Sequence, residues 1–134
     1  MANATAALKV QFSFASPDQS ATLAPSFSVS CPFQAQNSGT LDVPDLESSA
    51  TAHAIPFGSI AQAALIVVRN RSGQECIVKV NGSLALYNVP DGGLVVLGSA
   101  TLPASTPLAS FSLTTTGAQA GAGYIDYWVF GDSV

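Results

Sequence analysis

The stretch Glu75-Cys76-Ile77-Val78-Lys79-Val80-Asn81-Gly82-Ser83-Leu84-Ala85-Leu86-Tyr87 decides the fold class. Two strand-like runs flank Asn-Gly, and both turn positions tolerate positive φ. The segment therefore reads as a β-hairpin closed by a two-residue loop. On its N-terminal side, Asn70-Arg71-Ser72-Gly73 turns the chain out of 63–69, an apolar, β-branched run too short for a typical helix and read as a buried strand. On its C-terminal side, Pro90-Asp91-Gly92-Gly93 turns it into Leu94-Val95-Val96-Leu97.

The same pattern recurs along the chain. Residues 8–14 alternate apolar and polar, the two-residue period of a half-buried strand. Residues 27–31 alternate again and are expected to stop at Pro32, which has no N–H to give to a sheet ladder. Residues 34–50 are polar and rich in turn formers, so a long surface loop is expected there, with at most a short strand at 40–43. A strand is expected over 51–57, ending at Gly58, and the segment 59–64 has room for one helical turn. Residues 108–113 alternate after Pro107, a Gly/Ala-rich loop spans 117–123, and 124–130 forms the last strand. Strands at spacings of roughly ten residues, without a long amphipathic helix, predict an all-β fold. The expected architecture is an antiparallel β-sandwich, jelly-roll-like, of eight or nine strands.

A chain of 134 residues makes one domain, 1–134, large enough to bury a core without disulfides or metals. Residues 1–7 and the loop 15–25 are small, polar segments suited to lying as extended arms across a neighbour. Apolar residues make up 48% of the chain and charged residues only 9%, against roughly a quarter in a typical domain. Such an exterior has little like-charge repulsion to keep copies apart, and much of it is expected to be covered by partners. Lys9, Arg69, Arg71 and Lys79 face eight carboxylates, for a net charge of −4, which argues against nucleic acid as a partner. The longest apolar run, 63–68, is far short of a membrane-spanning helix, so no membrane is expected either. The first residues lack the pattern of a secretory signal, so synthesis in a cytoplasm is expected. Cys31 and Cys76 have neither zinc-type spacing nor a second pair, and read as buried free thiols.

The residues that chemistry would need are sparse. His53 is the single histidine, and no Gly-x-Ser-x-Gly elbow accompanies it, so a serine hydrolase is disfavoured. Asp42, Asp45 and Glu47 place three oxygen donors in one loop but lack the alternation and central glycine of a calcium hand; a solvated loop is the reading, with cation binding left open. Asp126 pairs with a loop acid as a glycosidase dyad only by assumption. No glycine-rich phosphate cradle precedes a helix. The expectation is a non-enzymatic protein with no cofactor and no metal. In the last strand Ile125, Tyr127 and Val129 share one face while Asp126, Trp128 and Phe130 share the other. Apolar groups on both faces favour a contact with another subunit, which makes Tyr124, Tyr127, Trp128 and Phe130 the interface candidates and a homodimer or homotrimer the expected assembly. The alternative use of Tyr87, Tyr124, Tyr127 or Trp128 is as stacking platforms for host carbohydrate in a tail or fibre domain.

From about Ile55 to Asp132 the chain also resembles small virion proteins of tailed bacteriophages. The resemblance is carried by Ile55-Pro56-Phe57-Gly58-Ser59-Ile60, by Leu65-Ile66-Val67-Val68-Arg69-Asn70, by the turn at Pro90-Asp91-Gly92-Gly93, and by Tyr124-Ile125-Asp126-Tyr127-Trp128-Val129-Phe130-Gly131-Asp132. It covers a little over half the chain and is one of style, without site residues to carry over. It implies a compact sandwich or jelly roll with a structural role in the virion. As capsid cement or decoration, its partner would be the major capsid protein or another virion protein.

Overall fold

The computed structural model describes residues 4–11, 14–15, 22–23, 26–44, 51–82, 84–98, 108–116 and 122–133. All regular structure among them is β. The strands are β1 (Ala4–Gln11), β2 (Phe14–Ala15), β3 (Thr22–Leu23), β4 (Ser26–Phe33), β5 (Ala35–Val43), β6 (Ala52–Ala54), β7 (Ile60–Arg71), β8 (Cys76–Val80), β9 (Leu84–Val89), β10 (Leu94–Gly98), β11 (Phe111–Thr115) and β12 (Gly123–Ser133).

The pairing is nested. β8 pairs with β9, β7 with β10, β6 with β11 and β5 with β12, so residues 35–133 form one long hairpin folded back at Asn81-Gly82. That hairpin wraps on itself, because β12 also pairs with β7 and β11 also pairs with β8. Two four-stranded antiparallel sheets result, ordered β10-β7-β12-β5 and β6-β11-β8-β9, which is the strand order of an eight-stranded jelly roll. The antiparallel sandwich is as expected, but the chain has ten strands longer than two residues, eight in the sandwich and two in an N-terminal ribbon of β1 with β4, where eight or nine in all are expected.

Asn81 and Gly82 take φ of 50° and 86°, as the turn chemistry requires. The returning arm pairs from Leu84, opposite Val80, so three residues, 81–83, connect the strands rather than the expected two; Ser83 lies outside the described residues. Between the sheets, Ile66 and Val68 of β7, Val78 and Val80 of β8, Val95 of β10, Leu113 of β11, and Ile125 and Val129 of β12 are fully buried. Each such side chain stabilises the fold by about 1.5–3 kcal/mol through area removed from water. Phe111 and Leu108 join this core, as does the Cys76 thiol; Cys31 is buried elsewhere, and both cysteines are free.

Four expectations are corrected. Residues 35–43, read as loop, form the nine-residue strand β5. It is a sheet edge whose outward residues Gln36, Ser38, Thr40 and Asp42 meet solvent, so its polar composition suits its place. Gly39 faces inward opposite Tyr127, where a Cβ would come within 2.8 Å of the phenol oxygen; the aromatic ring fills the space that the glycine leaves. Pro32 does not end its strand: β4 runs on to Phe33, with Pro32 opposite Thr5 in a two-stranded ribbon where either strand is an edge. No helical turn occupies 59–64, because β7 starts at Ile60, buries Ile60 and Ala63, and donates the Ala63 N–H to the Leu108 carbonyl at 2.8 Å. Residues 4–7 are not a free arm but are paired with 30–33 inside the chain. Residues 1–3, most of 15–25, and 117–121 lie outside the described residues.

Asn70, read as a turn former, is fully buried inside β7. Its amide Nδ2 donates to the carbonyls of Gln74 at 2.9 Å, Val89 at 3.1 Å and Pro90 at 3.1 Å, while Oδ1 accepts from the Ser72 N–H at 3.0 Å. Its main chain bonds Gly92 and Gly93. One side chain thus ties the β7–β8 turn to the β9–β10 turn, in a dry environment where an orphaned carbonyl is costly. Asn70→Ala is expected to lower stability by about 2–4 kcal/mol. The measurement is a urea titration in which the midpoint falls and the slope stays unchanged.

Candidate functional site

Register arranges the outer face of the β10-β7-β12-β5 sheet into cross-strand rows. Arg71, Tyr124 and Asp42 form the first; Leu94, Arg69, Asp126 and Thr40 the second; Val96, Val67, Trp128 and Ser38 the third; Gly98, Leu65, Phe130 and Gln36 the fourth. The period-two geometry puts every one of these residues on the same side. The face is charged at one end and apolar at the other.

At the charged end the Arg71 guanidinium donates twice to Asp126, Nε to Oδ2 at 2.7 Å and Nη2 to Oδ1 at 2.9 Å. The Thr40 hydroxyl adds a bond to Oδ1 at 2.9 Å, and the guanidinium lies 5.3 Å from the Tyr124 ring centroid. The hydrogen bonds from Arg71, more than the opposing desolvation, hold the Asp126 carboxyl below the usual aspartate range. A carboxylate kept ionised in this way is unsuited to the general-acid role of a glycosidase.

Leu94, at the β10 end of the second row, is 62% exposed, and in the third row Val96 is 40% and Trp128 42% exposed. Leu65 points outward as well, yet is only 5% exposed, because the β1–β4 ribbon folds over this part of the sheet. Phe33 of the ribbon meets Phe130 edge-to-face, with ring centroids 5.2 Å apart. A groove of about 540 Å³ remains between ribbon and sheet, walled by Ala6 and Leu8 on one side and by Val67, Leu94 and Trp128 on the other.

The structure separates the four aromatic candidates. Tyr124, Trp128 and Phe130 share the outer face, whereas Tyr127 points into the core at 7% exposure, because it follows Ile125 and precedes Val129 on the inner parity of β12. Tyr87 lies on β9, in the other sheet, so Tyr87, Tyr124, Tyr127 and Trp128 do not make one stacking platform. His53 sits half-buried on β6 opposite Leu113. Asp42 ends the edge row of β5; Asp45 and Glu47 lie outside the described residues, and among the described residues no three His, Cys, Asp or Glu side chains gather to hold a metal. Leu94 and Val96 belong to the face but were not among the sequence candidates. Their signal was the uninterrupted run Leu94-Val95-Val96-Leu97, apolar on both parities like the last strand.

Comparison with protein-family models, with curated proteins and with solved structures finds no match to this chain.

The Arg71–Asp126 pair makes a signed pH prediction. A carboxyl whose pKa is depressed by folding adds stability above its unfolded pKa and loses it as pH falls through the folded one. The advantage of the native chain over Asp126→Asn in thermal unfolding is therefore expected at neutral pH, and it should close on acidification below the carboxylate range. High salt at neutral pH should reduce it as well, since the Arg71 side chain is 42% exposed.

Proposed function

We propose that this chain is a non-enzymatic assembly protein of the capsid cement or decoration kind. In this reading it docks on an assembled protein lattice through the outer face of the β10-β7-β12-β5 sheet, with the major capsid protein or another virion protein as partner and the virion as its location. The observation that carries the reading is the apolar part of that face, where Leu94 and Val96 on β10 and Trp128 on β12 are exposed on either side of Val67. A sandwich of this size normally turns polar residues outward, and an exposed apolar patch with a charged border is the mark of a docking surface. The low charge of the chain fits the same role, because contact with a lattice then depends little on salt. A protein that binds the assembled shell but not free subunits stabilises the shell by mass action, and contacts repeated over the lattice add.

The chain's single tryptophan lies on the proposed face, which makes its fluorescence a direct reporter. Co-sedimentation with purified virions and empty shells of its source is expected to pellet the native chain in lattice-like stoichiometry, with a blue shift of Trp128 emission. Trp128→Phe should keep binding, and Trp128→Glu should lose it by tenfold or more. Absence from the pellet, or equal pelleting of Trp128→Glu, overturns the reading. Quenching by a glycan without pelleting would point to carbohydrate instead.

A further inference from the structure

We propose that the groove between the β1–β4 ribbon and the outer face of the β10-β7-β12-β5 sheet receives an extended peptide segment of the partner protein, added as a strand to the free edge of β1. Two kinds of wall meet there. On the sheet side Val67, Leu94, Trp128 and Phe130 supply apolar side chains. Three of them stand on β7 and β12, whose main chains are already paired with a strand on either side. On the ribbon side four consecutive residues of β1, 5–8, border the groove. A strand that offered only a face would border it with alternate residues, so β1 turns its edge inward as well. β4 occupies one edge of β1; among the described residues no strand lies along the other, and no further hydrogen bond engages the main chain of residues 5–8.

These two walls together select the occupant. An aliphatic or aromatic small molecule would cover the apolar side chains and leave the β1 edge dry and unpaired, which costs free energy for every main-chain group so buried. An extended peptide satisfies both walls: its main chain bonds to β1, and alternate side chains pack against Val67, Leu94 and Trp128. The four residues of β1 set the length of the segment, about 13 Å at the rise of a strand.

Charge beside the groove adds a preference. Arg69 is exposed, lies across from Leu94, and follows Val67 by two positions on the same face. Both oxygens of its other cross-strand neighbour, Asp126, are bonded to Arg71, and Thr40 adds a bond to one of them. Among the described residues Arg69 therefore makes no ion pair of its own. The chemistry that complements it is a carboxylate next to the apolar residue that meets Leu94. That the segment belongs to a lattice protein rests on the docking reading above; the strand addition itself is tested without a shell.

The probes are synthetic peptides in which valine alternates with threonine, ending in aspartate or in lysine. They are titrated against the full chain with Trp128 emission as the readout, since the single tryptophan walls the groove. The aspartate peptide is expected to bind saturably, to shift the emission to the blue, and to bind a few fold more tightly than the lysine peptide. Arg69→Gln should erase that difference with an unchanged circular dichroism spectrum. Of two peptides N-methylated at alternate positions, one for each parity, the one whose methylated amides meet β1 should lose binding, because a ladder needs those donors. Saturable binding of neither parent peptide, or undiminished binding of both N-methylated peptides, overturns the strand addition. So does saturable binding of decanoate in place of the peptides, which assigns the groove to an acyl chain. A chain that pellets with shells but binds no peptide keeps the docking reading and loses this one; a chain that binds the peptide but does not pellet does the reverse.

Discussion

The pairing of β7 with β12 is the constraint on which the rest of the molecule depends. It joins the middle of the chain to its end, and without it the β10-β7-β12-β5 sheet would be two separate ribbons, β10-β7 and β12-β5. Its inward residues, Ile66, Val68, Ile125, Tyr127 and Val129, make the centre of the core. Its outward residues, Val67, Arg69, Arg71, Tyr124, Asp126 and Trp128, make the centre of the candidate face. A register slip of one residue would exchange the two sets, so the same alternation that fixes the core also fixes which groups are offered to a partner. The register shift after Phe130 lets β12 continue to Ser133 along the start of β7 while Ile60 and Ala63 stay buried.

Charge is scarce enough in this chain that its placement is informative. Two of the four basic residues, Arg69 and Arg71, lie in adjacent outer positions of β7, and Asp126 lies across from Arg69 and bonded to Arg71. The pair has a hydroxyl partner in Thr40 and an aromatic neighbour in Tyr124, so it forms an ordered border rather than two freely moving side chains. Beyond that border the sheet has no charged side chain in its third and fourth rows. The β1–β4 ribbon covers the far row by packing Phe33 on Phe130, and the third row is left open between cover and border. Desolvating that row from Val96 to Trp128 costs little, because that part of it holds two valines and a tryptophan, with its one polar side chain, Ser38, at the β5 edge.

What could be read from sequence was local. The hairpin at Asn81-Gly82, the turn at Gly92, β10 and β12 all follow from turn chemistry and period-two alternation within a few residues. The parity of β12 was equally legible: Tyr127 falls with Ile125 and Val129, and Trp128 with Asp126. What stayed hidden depends on residues far along the chain. β5 looks like a loop because its apolar support comes from β12, with Gly39 resting against Tyr127 across 88 positions of sequence. Asn70 looks like a turn residue because its four partners come from two turns that only tertiary structure brings together. Leu65 looks like a core residue and is buried, but by the ribbon on the outer face rather than by the opposite sheet.

A jelly roll solves its own burial problem between its two sheets, so an apolar outer face is not something the fold requires. The β6-β11-β8-β9 sheet exposes apolar side chains at its β9 edge, Leu84 at 43% and Tyr87 at 45%, whereas the outward positions of β6 and β11 are Ala52, Ala54, Ser112 and Thr114. Leu94, Val96 and Trp128 on the other sheet each leave apolar surface in water that a serine or threonine would have avoided, in a strand context that accepts either. The two sheets therefore differ in where apolar groups meet water: at the β9 edge alone in one, and on both β10 and the central strand β12 in the other. That distribution is the physical ground for proposing contact with another protein at the sheet that carries β10 and β12.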